Sequence, residues 1–242
     1  MTWLTSLAAV VAAYLIGSLS FAVIVSRFMG LNDPRTYGSG NPGATNVLRS
    51  GNKKAAILTL LFDALKGVVP VLAAQVLAPR FGWGEGTIAW VGVAAFLGHL
   101  WPVFFKFQGG KGVATAAGVL LAMNWVLGLA TLGSWLLIAY FFRYSSLASI
   151  VAAVFAPFYQ LLIWGPGPAV FPLIVMSGLL VWRHEANIRK LLAGTESRLG
   201  QKAAGAVKAG DAPHGRKHPH QGAGHPGHGA THDGHGKGRG KH

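Results

Sequence analysis

The chain has 242 residues, 52% hydrophobic and only 12% charged, where a soluble domain carries about 25% charged residues, so membrane protein is the default class. Lys and Arg number 21 against 7 Asp and Glu, and up to residue 199 the count is 14 against 5, which leaves an excess of +9 without the C-terminal stretch. A positive-inside membrane protein that handles anionic substrates explains this excess better than nucleic acid does, and the lack of cysteine excludes disulfides, thiol catalysis and Cys-based metal sites.

Thr2 to Ser26 is apolar for long enough to cross a bilayer, and Arg27 stops it. It lacks the positive n-region of a signal peptide and its apolar run is too long for one, so it reads as a retained transmembrane helix. A polar loop over 27–54 follows. Ala55 to Ala78 is a second span, interrupted by Asp63 and Lys66, which stand i, i+3 and neutralise each other inside the bundle. PRFGWGEG (79–86) is a short turn, and Thr87 to Phe105 is a third span. The region 113–142 is apolar for 30 residues, whereas a single span needs about 20. It is either one tilted helix or two short helices folded back near MNWVLG (123–128). Spans at 147–164 and 169–182 follow, separated by GPGP (165–168).

Charge decides between the two options for 113–142. With two helices there are seven spans, and 27–54, 105–112, 143–146 and everything after 182 share one side. That side then holds Arg27, Arg35, Arg49, Lys53, Lys54, Lys106, Lys111 and Arg143 before residue 183, against only Arg80 opposite. The positive-inside rule therefore predicts an all-α, polytopic bundle of seven transmembrane helices, N-terminus outside and C-terminus cytoplasmic. The spans and their loops make one domain over 1–199. From Gly200 to His242 the composition changes to Gly, His, Lys and Pro, with eight of the ten histidines, and predicts a disordered cytoplasmic tail. That tail reads either as a solvated basic segment or as a loose contact for divalent metal or anionic lipid, and no catalytic role is assigned to it.

Three polar stretches fall on the cytoplasmic face. In YGSGNPGATNVLRSGNKK (37–54), Gly38, Gly40 and Gly43 permit a backbone that turns N–H groups toward an anion. Thr45 or Asn46 could start a helix, and Arg49 offers a bidentate guanidinium suited to phosphate. An ordinary interfacial turn accounts for the same residues. In KFQGGKGVATAAG (106–118), the glycines before Val113 stand where a helix begins, so free N–H groups and the helix dipole point at an anion beside Lys111. This is no Walker A loop, because Gly112 follows the lysine and Phe105 stands where the first glycine belongs. In RHEANIRKLLAGTESRLG (183–200), His184 and Asn187 share a helix face, and Gly194 is a plausible C-cap. The pair suits proton handling or orientation more than lipid contact. The patch RYSSLAS (143–149) adds Arg143 and Ser149 on the same side, although serines near a helix start are usually caps.

SGNPGATNVLR (39–49), GGKGVAT (109–115) and HEANIRKLLAGTE (184–196), in this order and on one face, closely resemble the bacterial PlsY family. These are membrane acyl-phosphate:glycerol-3-phosphate acyltransferases, and the resemblance covers roughly residues 1–200. It implies a seven-helix bundle in the bacterial inner membrane. It also implies transfer of a fatty acyl group from acyl phosphate to the 1-hydroxyl of sn-glycerol 3-phosphate. The product is lysophosphatidic acid, the first committed intermediate of phospholipid synthesis, and a soluble enzyme supplies the acyl phosphate. By the resemblance, Ser39 and Arg49 match the first motif's functional residues, and Lys111 with its glycines matches the phosphate-holding loop. His184 and Asn187 match the third motif's polar pair, and Glu196 its structural acid. Around these, Gly40, Asn41, Thr45, Asn46, Lys106, Gly109, Gly110, Gly112, Thr115, Arg143 and Ser149 are candidates for holding substrate phosphate. No cofactor, metal or nucleic acid is expected. Lys190 stands where arginine is expected, and the His-rich tail is no part of the family pattern.

The residues support this chemistry apart from the resemblance. Both substrates carry phosphate, and the chain offers separate clusters around Arg49 and Lys111. Acyl phosphate is already an activated anhydride, so the task is positioning and neutralisation. The H-x-x-x-x-D motif of other glycerolipid acyltransferases is absent, since His99 leads to Phe104 and His184 to Arg189. The competing reading is a transporter of an organic or phosphate anion, which predicts internal repeats and helices broken at the midplane.

Overall fold

The computed structural model describes residues 2–199, and the segment 200–242 read as a tail lies outside the described residues. All regular structure among the described residues is helical. In chain order the helices are α1 (Thr2–Gly17), α2 (Phe21–Phe28), α3 (Ala44–Leu48), α4 (Lys53–Phe81) and α5 (Glu85–Leu100). After a 3-10 turn at Val103–Phe105 come α6 (Val113–Met123), α7 (Trp125–Phe142), α8 (Ser145–Trp164), α9 (Val170–Arg183) and α10 (Glu185–Leu192).

Five stretches are long and apolar enough to cross a membrane, namely Thr2–Phe28, Lys53–Phe81, Glu85–Phe105, Trp125–Phe142 and Ser145–Trp164. Two shorter apolar helices, Val113–Met123 and Val170–Arg183, accompany them. Large apolar side chains such as Leu61, Val76, Leu137, Leu162 and Phe171 stand exposed on these helices. Lipid contact accounts for that pattern, which no aqueous surface of this extent would tolerate.

The region 113–142 is two helices. Asn124 breaks it, and its side-chain oxygen accepts the N–H groups of Val126 and Leu127 at 2.9 and 3.4 Å, capping α7. The chain then folds back, so that Gly128 of α7 packs against the Leu121 backbone of α6. The first span departs from expectation, because it is not one helix. It breaks at Ser18–Ser20, where the Ser18 hydroxyl donates to the Tyr14 carbonyl at 2.8 Å. The Leu19 carbonyl left over by the break is taken by the Lys66 ammonium of α4 at 2.7 Å, so a neighbouring helix supplies the partner that the broken ladder lacks.

Small residues set the helix spacing, as is usual where lipid removes the hydrophobic drive for association. Between α4 and α6, a Cβ on Gly67 would meet the Thr115 carbonyl, and one on Gly118 would meet the Ala64 carbonyl. Phe96, Leu100, Val119, Leu127 and Leu173 fill the main apolar core, contributed by α5, α6, α7 and α9. Asp63 and Lys66 face one another as expected, 2.8 Å apart and almost wholly buried. His99 of α5 joins them, its Nδ1 lying 3.6 Å from the Asp63 carboxylate. A buried charge pair is costly unless its partners are supplied, and here the Leu19 carbonyl supplies one for Lys66, while His99 stays too far from Asp63 for a hydrogen bond.

Candidate active site

The first polar loop is shaped by Asn46, which is 1% exposed in α3. Its amide donates to the carbonyls of Pro34 (2.6 Å) and Tyr37 (3.1 Å), and its oxygen accepts the Ser39 N–H (3.0 Å). The Arg49 guanidinium reaches the same oxygen at 3.5 Å. Asn46 thus holds Ser39 and Arg49 in one loop and has no capacity left for a ligand, which corrects its expected role in phosphate binding. Gly40 adopts a left-handed conformation in this loop. Ser39 is exposed, and among the described residues its hydroxyl meets the Asn41 N–H alone, at 3.4 Å. Thr45 is exposed on the first turn of α3.

The glycine loop is wedged between α5, α9 and the first loop. Gly109 and Gly110 are buried. The Gly110 N–H donates to the His99 carbonyl at 3.1 Å, and a Cβ there would strike the His99 ring and lie 3.0 Å from the Pro42 carbonyl. Gly112, at φ +84°, turns the chain into α6 as its N-cap, where the Phe96 ring leaves no room for a side chain. Lys111 therefore projects from a loop with little freedom. Its ammonium donates to the Asn187 side-chain oxygen. The Asn187 amide donates in turn to Glu196 Oε1 at 2.7 Å, which also accepts from the Ser146 hydroxyl at 2.7 Å.

The third stretch does more than present one helix face. His184 ends α9 and starts α10, and Ala193 rather than the expected Gly194 is the C-cap of α10, with Gly194 (φ +68°) turning the chain just beyond it. That turn sends residues 195–199 back across the other two loops. There the Arg49 guanidinium donates to the Ser197 hydroxyl at 2.5 Å, and the Leu199 N–H donates to the Arg143 carbonyl at 2.7 Å. Two sets of hydrogen bonds, Arg49 to Ser197 and Lys111 through Asn187 to Glu196, thus meet at the neighbouring residues 196 and 197 and bring all three motifs together.

Positive charge is concentrated around Lys111. Burial brings the Lys111 ammonium down to about 8, with Arg49, Arg183 and Lys190 adding repulsion and Glu196 opposing them. His184 is 2% exposed, and its ring Nδ1 lies 2.8 Å from the Leu180 carbonyl. The carbonyl can only accept, so Nδ1 carries the proton and Nε2 keeps a lone pair. Burial, aided by the Lys111 and Arg183 charges, lowers this imidazole to about 4, so it is neutral at physiological pH.

Four expected phosphate contacts fall outside this cluster. The Thr115 hydroxyl, wholly buried, donates to the Asp63 carbonyl at 2.9 Å and ties α6 to α4. Ser149 donates to the Ser145 carbonyl at 2.7 Å and accepts from the Trp135 indole at 3.0 Å. Both side chains are spent on helix packing, because their positions turn them inward. Lys106 and Arg143 are exposed at left-handed positions, with no side-chain hydrogen bond among the described residues. Conversely, Ser146, Ser197 and Arg183 belong to the cluster and were not singled out. Each lies within a stretch already noted, but serines that cap and arginines at membrane ends are too common to stand out.

A family description, glycerol-3-phosphate acyltransferase, matches residues 7–194. The chain belongs to this family. It is 70% identical over 192 residues to the glycerol-3-phosphate acyltransferase of Ralstonia nicotianae, covering 79% of this chain and 93% of that one. With the Burkholderia orbicola (strain MC0-3) protein of the same name the identity is 64% over 209 residues, 85% and 99% of the two chains. Among solved structures it superposes on PlsY (YgiH), an integral membrane glycerol 3-phosphate acyltransferase, in its glycerol 3-phosphate form. The TM-score is 0.75 at 42% identity, covering 81% of this chain and 96% of that one. The lysophosphatidic acid form of PlsY gives a TM-score of 0.73 at 41% identity, covering 80% and 95%. The protein is thus a multi-pass membrane acyltransferase of the PlsY type. The break at Ser18–Ser20, which a transporter reading would favour, is instead a packing feature of an enzyme.

Proposed function

We propose that this chain transfers a fatty acyl group from acyl phosphate to the 1-hydroxyl of sn-glycerol 3-phosphate, releasing lysophosphatidic acid and inorganic phosphate. The observation that carries the reading is that two separate cations, Arg49 and Lys111, are tied to adjacent residues of the third motif's turn, Arg49 to Ser197 and Lys111 through Asn187 to Glu196. Two phosphate-bearing substrates need two such points. Both solved PlsY forms, with glycerol 3-phosphate and with lysophosphatidic acid, agree with an acceptor and a product of this kind.

The hydroxyl oxygen of glycerol 3-phosphate attacks the acyl carbonyl carbon, and the carbon–oxygen bond to the donor phosphate breaks. The hydroxyl proton leaves with the phosphate, which is the better acceptor because a ring held at about 4 is a weak base. The neutral His184, its Nε2 free to accept, orients the hydroxyl. Among the described residues no base meets the Ser39 hydroxyl, so Ser39 orients substrate rather than carrying the acyl group. Arg49 and Lys111 neutralise phosphate, the Gly109–Gly110 segment fixes where Lys111 projects, Asn187 aligns Lys111, and Glu196 holds Asn187. Gly40 and Asn41, with Thr45 exposed beside them, border the Ser39–Arg49 face.

The charge distribution supports seven spans in the inner membrane, with the N-terminus outside and the site facing the cytoplasm, where a soluble enzyme delivers acyl phosphate. Residues 1–199 carry the activity and 200–242 do not. The test is purified protein with labelled glycerol 3-phosphate and either palmitoyl phosphate or palmitoyl-CoA. Lysophosphatidate is expected from the phosphate alone, and product formed only from palmitoyl-CoA would refute the donor.

A further inference from the structure

A loop that attracts phosphate through N–H groups and a lysine must put its carbonyl oxygens elsewhere, because each carries partial negative charge. Arg183, the last residue of α9, meets this need. Its Nε donates to the Gly110 carbonyl at 3.1 Å, and one terminal nitrogen donates to Gly109 and Gly110, both at 3.0 Å. On the opposite side the segment is seated on α5. The Gly110 N–H bonds the His99 carbonyl, and a Cβ at Gly109 would strike the His99 and Leu100 carbonyls. The loop is therefore held in a seat on one side and by a forked cation on the other.

We propose that Arg183 is a positioning residue of the reaction, whose guanidinium turns the Gly109 and Gly110 carbonyls away from the substrate phosphate and sets the register of Lys111 against Asn187. It acts through the loop and touches no substrate. A lysine there keeps the charge and much of the stem but lacks the planar fork that serves two carbonyls at once. The same guanidinium adds positive charge to the region around Lys111, so losing it weakens the site twice.

This inference rests on Lys111 being a phosphate ligand, and Lys111→Ala with Arg183 intact tests that reading by itself. Arg183→Ala and Arg183→Lys are assayed in detergent for kcat/KM toward glycerol 3-phosphate. Folded fraction is read from thermal unfolding, and guanidinium or ammonium chloride is added at tens of millimolar. Expected is a loss of about tenfold or more in Arg183→Ala, partly restored by guanidinium and not by ammonium, with Arg183→Lys at least about fivefold below wild type. A smaller loss in folded Arg183→Lys overturns the proposal, as does an Arg183→Ala loss that only follows unfolded protein and resists guanidinium. If Arg183→Ala fails to fold, Arg183→Lys decides. Full activity in Lys111→Ala would sink the Lys111 reading, whereas its collapse beside an intact Arg183→Lys would sink only the role of Arg183.

Discussion

Lys111 is where the cost and the use of the site coincide. Burial and three neighbouring cations disfavour its charged form, and a bound phosphate reverses that balance. Its charge is complete below about 8 and is lost as pH rises through that value. The value of kcat/KM for glycerol 3-phosphate should therefore fall above pH 8, and Lys111→Arg should remove this limb from whatever activity remains. An unchanged limb in Lys111→Arg would assign it to another group. His184 stays neutral down to about 4, so it adds no limb between pH 5 and 8. Removing a charged hydrogen bond to phosphate costs about 1.5–3 kcal/mol, so Arg49→Ala should lose roughly ten- to hundredfold in kcat/KM. Wild-type kinetics there would argue against the two-cation reading. Ser39→Ala should keep measurable turnover, and no acyl adduct should accumulate on the wild-type protein. A trapped acyl-Ser39 in mass spectrometry would replace direct transfer with a two-step route. The motif residues were legible because their types, order and spacing are specific. The inward turn of Thr115 and Ser149 was not, since one residue's rotation about its helix decides between loop and core.

Among the helices, the close approach of α4 and α6 carries the glycine loop's position into the membrane. Gly118 has the Ala64 carbonyl where a Cβ would go, while Gly133 of α7 has open space around it. Gly118→Val should destabilise by about 1–3 kcal/mol through overpacking, seen as a lower unfolding midpoint in detergent. Gly133→Ala should be neutral or slightly stabilising. Equal effects would mean that these helices are not held in close contact. Helix ends were largely readable, because Asn124, Gly112 and Gly194 are residues that cap or turn. The break at Ser18–Ser20 was not, because nothing local in an apolar run announces it. It depends on Lys66, 47 residues away, supplying the partner for the Leu19 carbonyl.

For the whole molecule, the charge bias predicts which loops share a side, and a chain without cysteine allows a direct check. Single cysteines at Lys54 and Arg189 should label only from the cytoplasm, and those at Glu85 and Pro166 only from outside. All four positions are exposed and lie outside the hydrogen-bonded cluster. Lys54 and Pro166 labelling from the same side would break the seven-span topology. Composition, charge and motif order alone determined the membrane class, the helical hairpin at 113–142 and the acyltransferase family, because these depend on residue type and local spacing. Only the tertiary structure decided which polar groups meet. Residues 195–199 fold back to bring Ser197 to Arg49 and Glu196 to Asn187, and Arg183 takes the carbonyls of Gly109 and Gly110. Such pairings join positions far apart in the chain, and they exist because buried polar groups must find partners wherever the packing puts them.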